Sequence, residues 1–123
     1  MRIPRKHFET LVWEVVDALP AAISERVSNL EFAVRYAPTP ADLEDADPDE
    51  GDLFGLYVGI PLTERSGDYM LTAPDLITIF QRAHEDACDS LPALRAEVKR
   101  TVLHELAHHF GIDDDRLEAL DRY

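Results

Sequence analysis

Cysteine is all but missing from this chain of 123 residues: Cys88 stands alone, so no disulfide can close within it. That fits a reducing compartment. Positive charge is also scarce, with 12 Lys and Arg against 25 Asp and Glu and a formal net charge of -13. A surface of that sign repels phosphate backbones and anionic headgroups, so neither nucleic acid nor a membrane is expected as a partner. No apolar run approaches the roughly 20 residues that span a bilayer. Arg2, Arg5 and Lys6 precede an apolar stretch, but Glu9, Glu14 and Asp17 interrupt it, which excludes a signal-peptide core. The expectation is a cytoplasmic protein. Repeats, low-complexity segments and linkers are absent too, and the length suits one core, so residues 1–123 are expected to form a single domain.

What is present is patterned. Phe8, Leu11, Val12, Val15, Val16 and Leu19 recur at helical spacing before Pro20, which predicts an amphipathic N-terminal helix packed on a sheet. From Leu30 to Ala37, Phe32, Val34 and Tyr36 alternate with Glu31, Ala33 and Arg35, as in a half-buried strand stopped by Pro38 and Pro40. Residues 39–52 are rich in Asp, Glu and Pro and read as an acidic surface loop. Asp45, Asp47 and Asp49 begin like a calcium loop, but Glu50 and Leu56 stand where such a loop needs glycine and glutamate. Leu53 to Ile60 is nearly continuous apolar sequence, consistent with a strand near the sheet centre, with Gly55 and Gly59 marking a bulge or a close approach. Leu76 to Phe80 is a β-branched run read as the last strand. Arg82 to Ser90 predicts a short helix or turn. Ser90 then caps a long helix with Pro92 in its first turn, and that helix runs to about Phe110. Residues 116–123 predict a short closing helix. The fold class is α+β, with a three- to four-stranded mixed sheet.

The long helix carries His104-Glu105-x-x-His108 in its final turns. Two histidines four apart stand about one turn apart on one face, so both imidazoles can reach a single zinc ion. Glu105 leaves the helix beside that face, which suits a base acting on the metal's water without ligating the metal. Val98, Val102, Leu106 and Phe110 recur at helical spacing and would anchor the helix in the core. Gly111 stands where helices commonly stop in the left-handed conformation, after which the chain can fold back. Asp114 can then offer a carboxylate oxygen as third ligand, which leaves one position of a four-coordinate ion for water. Asp113 or Asp115 could replace it if the turn differs by one residue, and Glu118 is a more distant reserve.

His104-Glu105-x-x-His108-x-x-Gly111-x-x-Asp114 resembles the zincin metallopeptidases and is close to the extended metzincin pattern, with aspartate in place of the third histidine. Metzincins carry a methionine turn after that ligand, whereas no methionine follows Asp114 here. Together with Leu53-Phe54-Gly55-Leu56-Tyr57, residues 60–65 and the short length, the motif resembles the small bacterial minimal zincins over most of residues 50–123. The resemblance implies one zinc ion on His104, His108 and Asp114, with Glu105 as general base. It also implies hydrolysis of a peptide or protein substrate bound as an added strand along a sheet edge, for which the run Leu76–Phe80 is one candidate.

Other residues invite functional readings and have plainer ones. His109 points roughly a hundred degrees round the helix from His108 and reads as a packed or hydrogen-bonded histidine. His84 has no partner at ligand spacing and reads as a surface or supporting residue. Cys88 reads as a small buried side chain rather than a nucleophile. Tyr36, Tyr57, Tyr69 and Tyr123 each have a hydroxyl that could serve an oxyanion, and sequence does not choose among them. Only nine residues follow Asp114, so the expected cleft is shallow, and a protein partner could complete it. The competing reading is a catalytically weak or inactive zincin-like metal-binding module that acts through such a partner.

Overall fold

The computed structural model describes residues 1–25, 27, 30–45, 53–59, 75–111 and 116. In chain order these form α1 (Arg5–Asp17), α2 (Ala21–Ser24), β1 (Leu30–Arg35), α3 (Pro40–Asp45), β2 (Gly55–Val58), β3 (Asp75–Phe80), α4 (Gln81–Ala87) and α5 (Leu91–Phe110). The strands make one mixed sheet in the order β1-β3-β2. β1 runs parallel to β3, with Phe32 opposite Ile77 and Val34 opposite Ile79. β2 runs antiparallel to β3, with Gly55 opposite Ile79 and Tyr57 opposite Ile77. The expected α+β architecture and mixed sheet are therefore present. The expected closing helix over 116–123 lies outside the described residues, save for position 116.

One face of the sheet carries the core. Ile77 and Ile79 pack with Phe8, Leu11, Val12 and Val15 of α1 and with Leu94, Val98, Val102, Leu106 and Phe110 of α5. The buried α1 positions follow the i, i+3, i+4, i+7 spacing read from sequence. Burying each of these side chains stabilises the fold by about 1.5–3 kcal/mol before chain entropy is subtracted. On the other face Leu53, Leu56 and Phe80 make a smaller cluster. α5 begins as predicted: Ser90 is extended, and its hydroxyl accepts the amide of Ala93 at 3.2 Å. It also ends as predicted, on Gly111 in the left-handed conformation at φ 72°.

Three expectations are corrected. Leu76–Phe80 is not a sheet edge: β3 lies between β1 and β2. Conversely β2, expected near the centre, borders the sheet among the described residues. Its apolar run divides between two faces: Gly55 and Tyr57 lie on the face toward α5, Leu56 packs with Leu53 and Phe80 on the other, and Val58 at the strand's end is exposed. Residues 39–52 are not wholly loop, because α3 opens the segment. The Thr39 hydroxyl accepts the Asp42 amide at 3.3 Å, and the Asp42 carboxylate accepts the Thr39 amide at 2.7 Å. That reciprocal cap is legible in sequence as Thr39-Pro40-x-Asp42. Arg35 beside Asp42 and the Thr39 amide hold that carboxyl below its usual range. The remaining positions of the calcium-loop pattern, 46–52, lie outside the described residues.

Gly55 sets how closely β2 can approach α5. A Cβ built on it would lie 2.7 Å from Thr101 Cγ2, 3.2 Å from Glu105 Cγ and 3.2 Å from the Thr78 carbonyl oxygen. The close approach foreseen at this glycine is therefore to a helix. His84 fixes the same helix from α4. Burial disfavours its charged form and pulls its pKa down, so the ring is neutral. Its Nδ1 lies 2.7 Å from the Phe80 carbonyl, so Nδ1 carries the proton and donates. Nε2, at 2.8 Å, then accepts from the Thr101 hydroxyl. His84 is fully buried, so of its two expected readings, surface or supporting, the structure takes the supporting one.

Glu85 fastens the N-terminal segment to α4. Its Oε2 accepts the Ile3 amide at 2.9 Å and the Gln81 side-chain amide at 3.3 Å, while Arg2 donates to Oε1 at 3.2 Å. Burial works to raise this carboxyl, but the Ile3 and Gln81 donors and the Arg2 guanidinium outweigh it, so it titrates below an ordinary glutamate.

Two measurements follow from these contacts. Gly55→Ala should cost about 1–3 kcal/mol in urea unfolding, because Thr101 and the Thr78 backbone must shift to admit one methyl group. Glu85→Ala should cost about 2–4 kcal/mol at pH 7, since it takes the acceptor away from the Ile3, Gln81 and Arg2 donors together. A depressed carboxyl contributes stability above its unfolded pKa of about 4.3 and loses it as pH falls through the folded value. The difference between wild type and Glu85→Ala should thus be full at pH 7 and shrink in acid below about pH 4.3.

Candidate active site

The last three turns of α5 present His104, Glu105 and His108 beside the end of β2. The two imidazole rings stand with centroids 4.8 Å apart at an interplanar angle of 62°. Glu105 lies between and beneath them. Its Oε1 is 3.4 Å from His108 Nδ1, and its Oε2 is 3.8 Å from His104 Nε2. One donor atom from each of the three residues falls within 4.8 Å of the others. Burial separates the roles: the side chains of His104 and His108 are 36% and 47% exposed, that of Glu105 only 4%.

A carboxylate this buried has to be held. The backbone amide of Tyr57 in β2 donates to Glu105 Oε1 at 3.0 Å. The bond alternates with the sheet ladder. Phe54 carbonyl accepts from Phe80, so Phe54, Leu56 and Val58 turn their polar groups toward β3 while Gly55 and Tyr57 turn theirs away. Tyr57 therefore meets the helix with an amide that the sheet does not use. Gly55, on the same face, leaves the room that brings helix and strand within reach.

Tyr57 is held at its other end as well. Its hydroxyl donates to Asp75 Oδ2 at 2.5 Å, and His109 Nδ1 lies 3.0 Å from the same oxygen. Asp75 and His109 are both buried, and the Tyr57 and His109 rings meet nearly edge-on at 5.7 Å. A Cβ on Gly59 would overlap the Asp75 carboxylate, so the second glycine of the β2 segment makes room for this acid.

The structure thus brings together His104, Glu105 and His108 as the motif predicts. Asp114 lies outside the described residues, as do Asp113, Asp115 and Glu118. His109 is the hydrogen-bonded, packed histidine expected of it. Cys88 is buried, and burial pushes its thiol pKa up, which suits a small core residue and not a nucleophile. Of the tyrosines, Tyr36 is exposed and takes a bond from Arg2, Tyr57 gives its hydroxyl to Asp75, and Tyr69 and Tyr123 lie outside the described residues. Sequence reasoning passed over the Tyr57 amide and Asp75. Gly55 and Gly59 flanking Tyr57 at two-residue spacing were the available signal, since they clear one face of the strand on either side of it. Asp75 carries no comparable mark, because its partners are 18 and 34 positions away.

Two imidazoles one turn apart supply nitrogen donors that suit zinc, a carboxylate stands beside them, and partial exposure of the histidines leaves that side open to solvent. Among the described residues no helix is long and apolar enough to cross a membrane.

Comparison with known proteins agrees with this geometry. No curated protein matches the sequence. Among solved structures, the chain is similar to a conserved hypothetical protein from Thermo thermophilus, with a TM-score of 0.57 and 19% sequence identity. The likeness covers 88% of this chain and 94% of that one, and at that identity it speaks for the fold alone. Residues 27–123 match the family described as zincin-like metallopeptidases, a span that takes in the whole sheet and α5. The chain therefore belongs to the zincin-like metallopeptidase family.

Proposed function

We propose that this protein is a zinc-dependent metallopeptidase that hydrolyses peptide bonds, with His104, His108 and Asp114 as metal ligands and Glu105 as general base. The observation that carries the reading is the position of Glu105, a buried carboxylate held by a strand amide directly beside two solvent-facing imidazoles. A carboxylate serving only as a structural ion-pair partner would not need a fixed orientation toward a pair of half-exposed rings.

A zinc ion, when bound, lowers the pKa of its water and polarises the scissile carbonyl. The protein's own groups supply the rest. His104 and His108 would hold the ion from one face of α5, and Asp114 would close the ligand set from beyond the Gly111 stop. Glu105 Oε1 is engaged by the Tyr57 amide, so Oε2, on the side of His104, is the atom placed to take a proton. That proton comes from the water whose oxygen bonds to the carbonyl carbon, and the same Glu105 oxygen passes it to the leaving amine as the C–N bond breaks. Confining Glu105 in this way removes rotamer freedom that would otherwise have to be lost during the reaction. Exclusion of water from this carboxylate, 4% exposed, also strengthens its interaction with charge that develops nearby.

The substrate is expected as an extended peptide along the outer side of β2, where the Gly55 amide and the Gly55 and Tyr57 carbonyls point away from β3 and the Tyr57 amide is already taken by Glu105. This replaces β3 as the candidate edge.

Glu105→Gln is the discriminating variant. It should keep one zinc per chain by elemental analysis and lower peptide hydrolysis by about a hundredfold or more, the loss expected of a general base. Absence of any wild-type activity across broad peptide libraries would instead favour a metal-binding module that acts through a partner. Replacing His104, His108 or Asp114 singly by alanine should lower zinc content measured after dialysis, with far-UV circular dichroism unchanged. Full zinc occupancy in Asp114→Ala would remove that residue from the ligand set.

A further inference from the structure

We propose that Tyr57 and Asp75 are positioning residues for Glu105, forming with His109 a clamp that fixes the strand amide on which the base rests. The inference rests on the metallopeptidase reading for its effect on turnover, but the clamp itself is a matter of geometry.

Tyr57 is bound at both ends to the same helix by different routes. Its amide donates to Glu105 Oε1 at 3.0 Å, and its hydroxyl donates to Asp75 Oδ2 at 2.5 Å. Asp75 Oδ2 also lies 3.0 Å from Nδ1 of His109, one turn beyond Glu105 on α5. The loop of contacts thus runs from Glu105 through the Tyr57 backbone and ring to Asp75, then through His109 back into the helix. Asp75 belongs to β3, so the loop joins the helix to both strands. A bend of β2 away from α5 would have to break the hydroxyl bond, and rotation of the last helical turn would have to break the His109 contact.

The chemistry of the clamp argues against a purely packing role. The side chains of Asp75 and His109 are both fully buried. Burying a carboxylate costs several kcal/mol unless it is fully bonded, and an apolar trio of the same volume would stabilise the core as well or better. What the charged acceptor adds is direction. An O–H···O bond to a carboxylate is short and strongly oriented, and it sets the tyrosine ring and therefore the backbone from which the ring projects. Catalytic groups need placement within about half an ångström, and supporting hydrogen bonds are how proteins achieve it. Gly55 and Gly59 fit this account, since each clears space beside Tyr57 for one of the two acids that grip it.

The test reads position first and activity second, on the full-length chain. In the metal-free protein, the amide proton at position 57 is followed by 15N–1H NMR in wild type, Glu105→Gln, Tyr57→Phe and Asp75→Asn. A bond to a carboxylate moves an amide proton downfield, so Glu105→Gln defines how far upfield it moves when that charge is removed. Tyr57→Phe removes one oxygen from the clamp and should move the same amide upfield while leaving the fold and the zinc content unchanged. Its kcat should fall about ten- to a hundredfold, as supporting residues at metal sites typically show, with KM within about twofold. Asp75→Asn should repeat the pattern, and if it fails to fold, Tyr57→Phe decides. An unmoved amide in Tyr57→Phe overturns the proposal, as does a moved amide with an unchanged kcat. Should the wild type hydrolyse no peptide, the metallopeptidase reading falls, and the amide at position 57 alone decides the clamp.

Discussion

One hydrogen bond, from the Tyr57 amide to Glu105 Oε1, ties the sheet to the helix where the chemistry is placed. Much of the fold is arranged so that this bond can form. β2 must border α5, it must turn its odd-numbered amides away from β3, and nothing may stand between strand and helix at Gly55. The apolar core beneath, from Phe8 and Val12 to Val98, Val102 and Leu106, holds α5 at the distance the bond requires. Because a core packed to crystal-like density resists deformation, the position of the carboxylate is inherited from the whole domain and not from its immediate neighbours.

A division of labour along α5 follows from its periodicity. Positions 98, 102, 106 and 110 face inward, and positions 104 and 108 look out beside β2. Position 105 falls between these faces, which is why Glu105 can be buried yet adjacent to exposed imidazoles. His109 falls on the buried side and takes a structural partner in Asp75. Three consecutive chemical roles in six residues thus come from rotation about one axis at roughly a hundred degrees per residue. His84 braces the helix a turn earlier through the Thr101 hydroxyl, so the motif is supported on a second side by a buried polar contact.

Family membership and site geometry both point to the His104–Glu105–His108 cluster on α5, but they speak to different things. The family match spans residues 27–123 and carries the expectation of zinc and peptide hydrolysis. The similarity to the Thermo thermophilus protein, at 19% identity, concerns how the chain folds. The position of Glu105 gives the chemical reading its weight, because a base needs to be dry, oriented and near the metal side.

The sequence alone determined the parts of this protein that repeat at a short period. The α1 stripe, the Ser90 cap, the Gly111 stop and the spacing of His104, Glu105 and His108 are local consequences of helical geometry, and each stands where the pattern places it. A local motif also existed at Thr39 and Asp42, where it was outweighed by the acidic composition around it. Only the tertiary structure decided strand order. The apolar content of 53–60 and 76–80 is nearly the same, so it could not say that the later strand lies between the other two. Only the tertiary structure, too, united Tyr57, Asp75 and His109. Residues so far apart in the chain share no period, and their meeting depends on how helix and sheet settle against a common core.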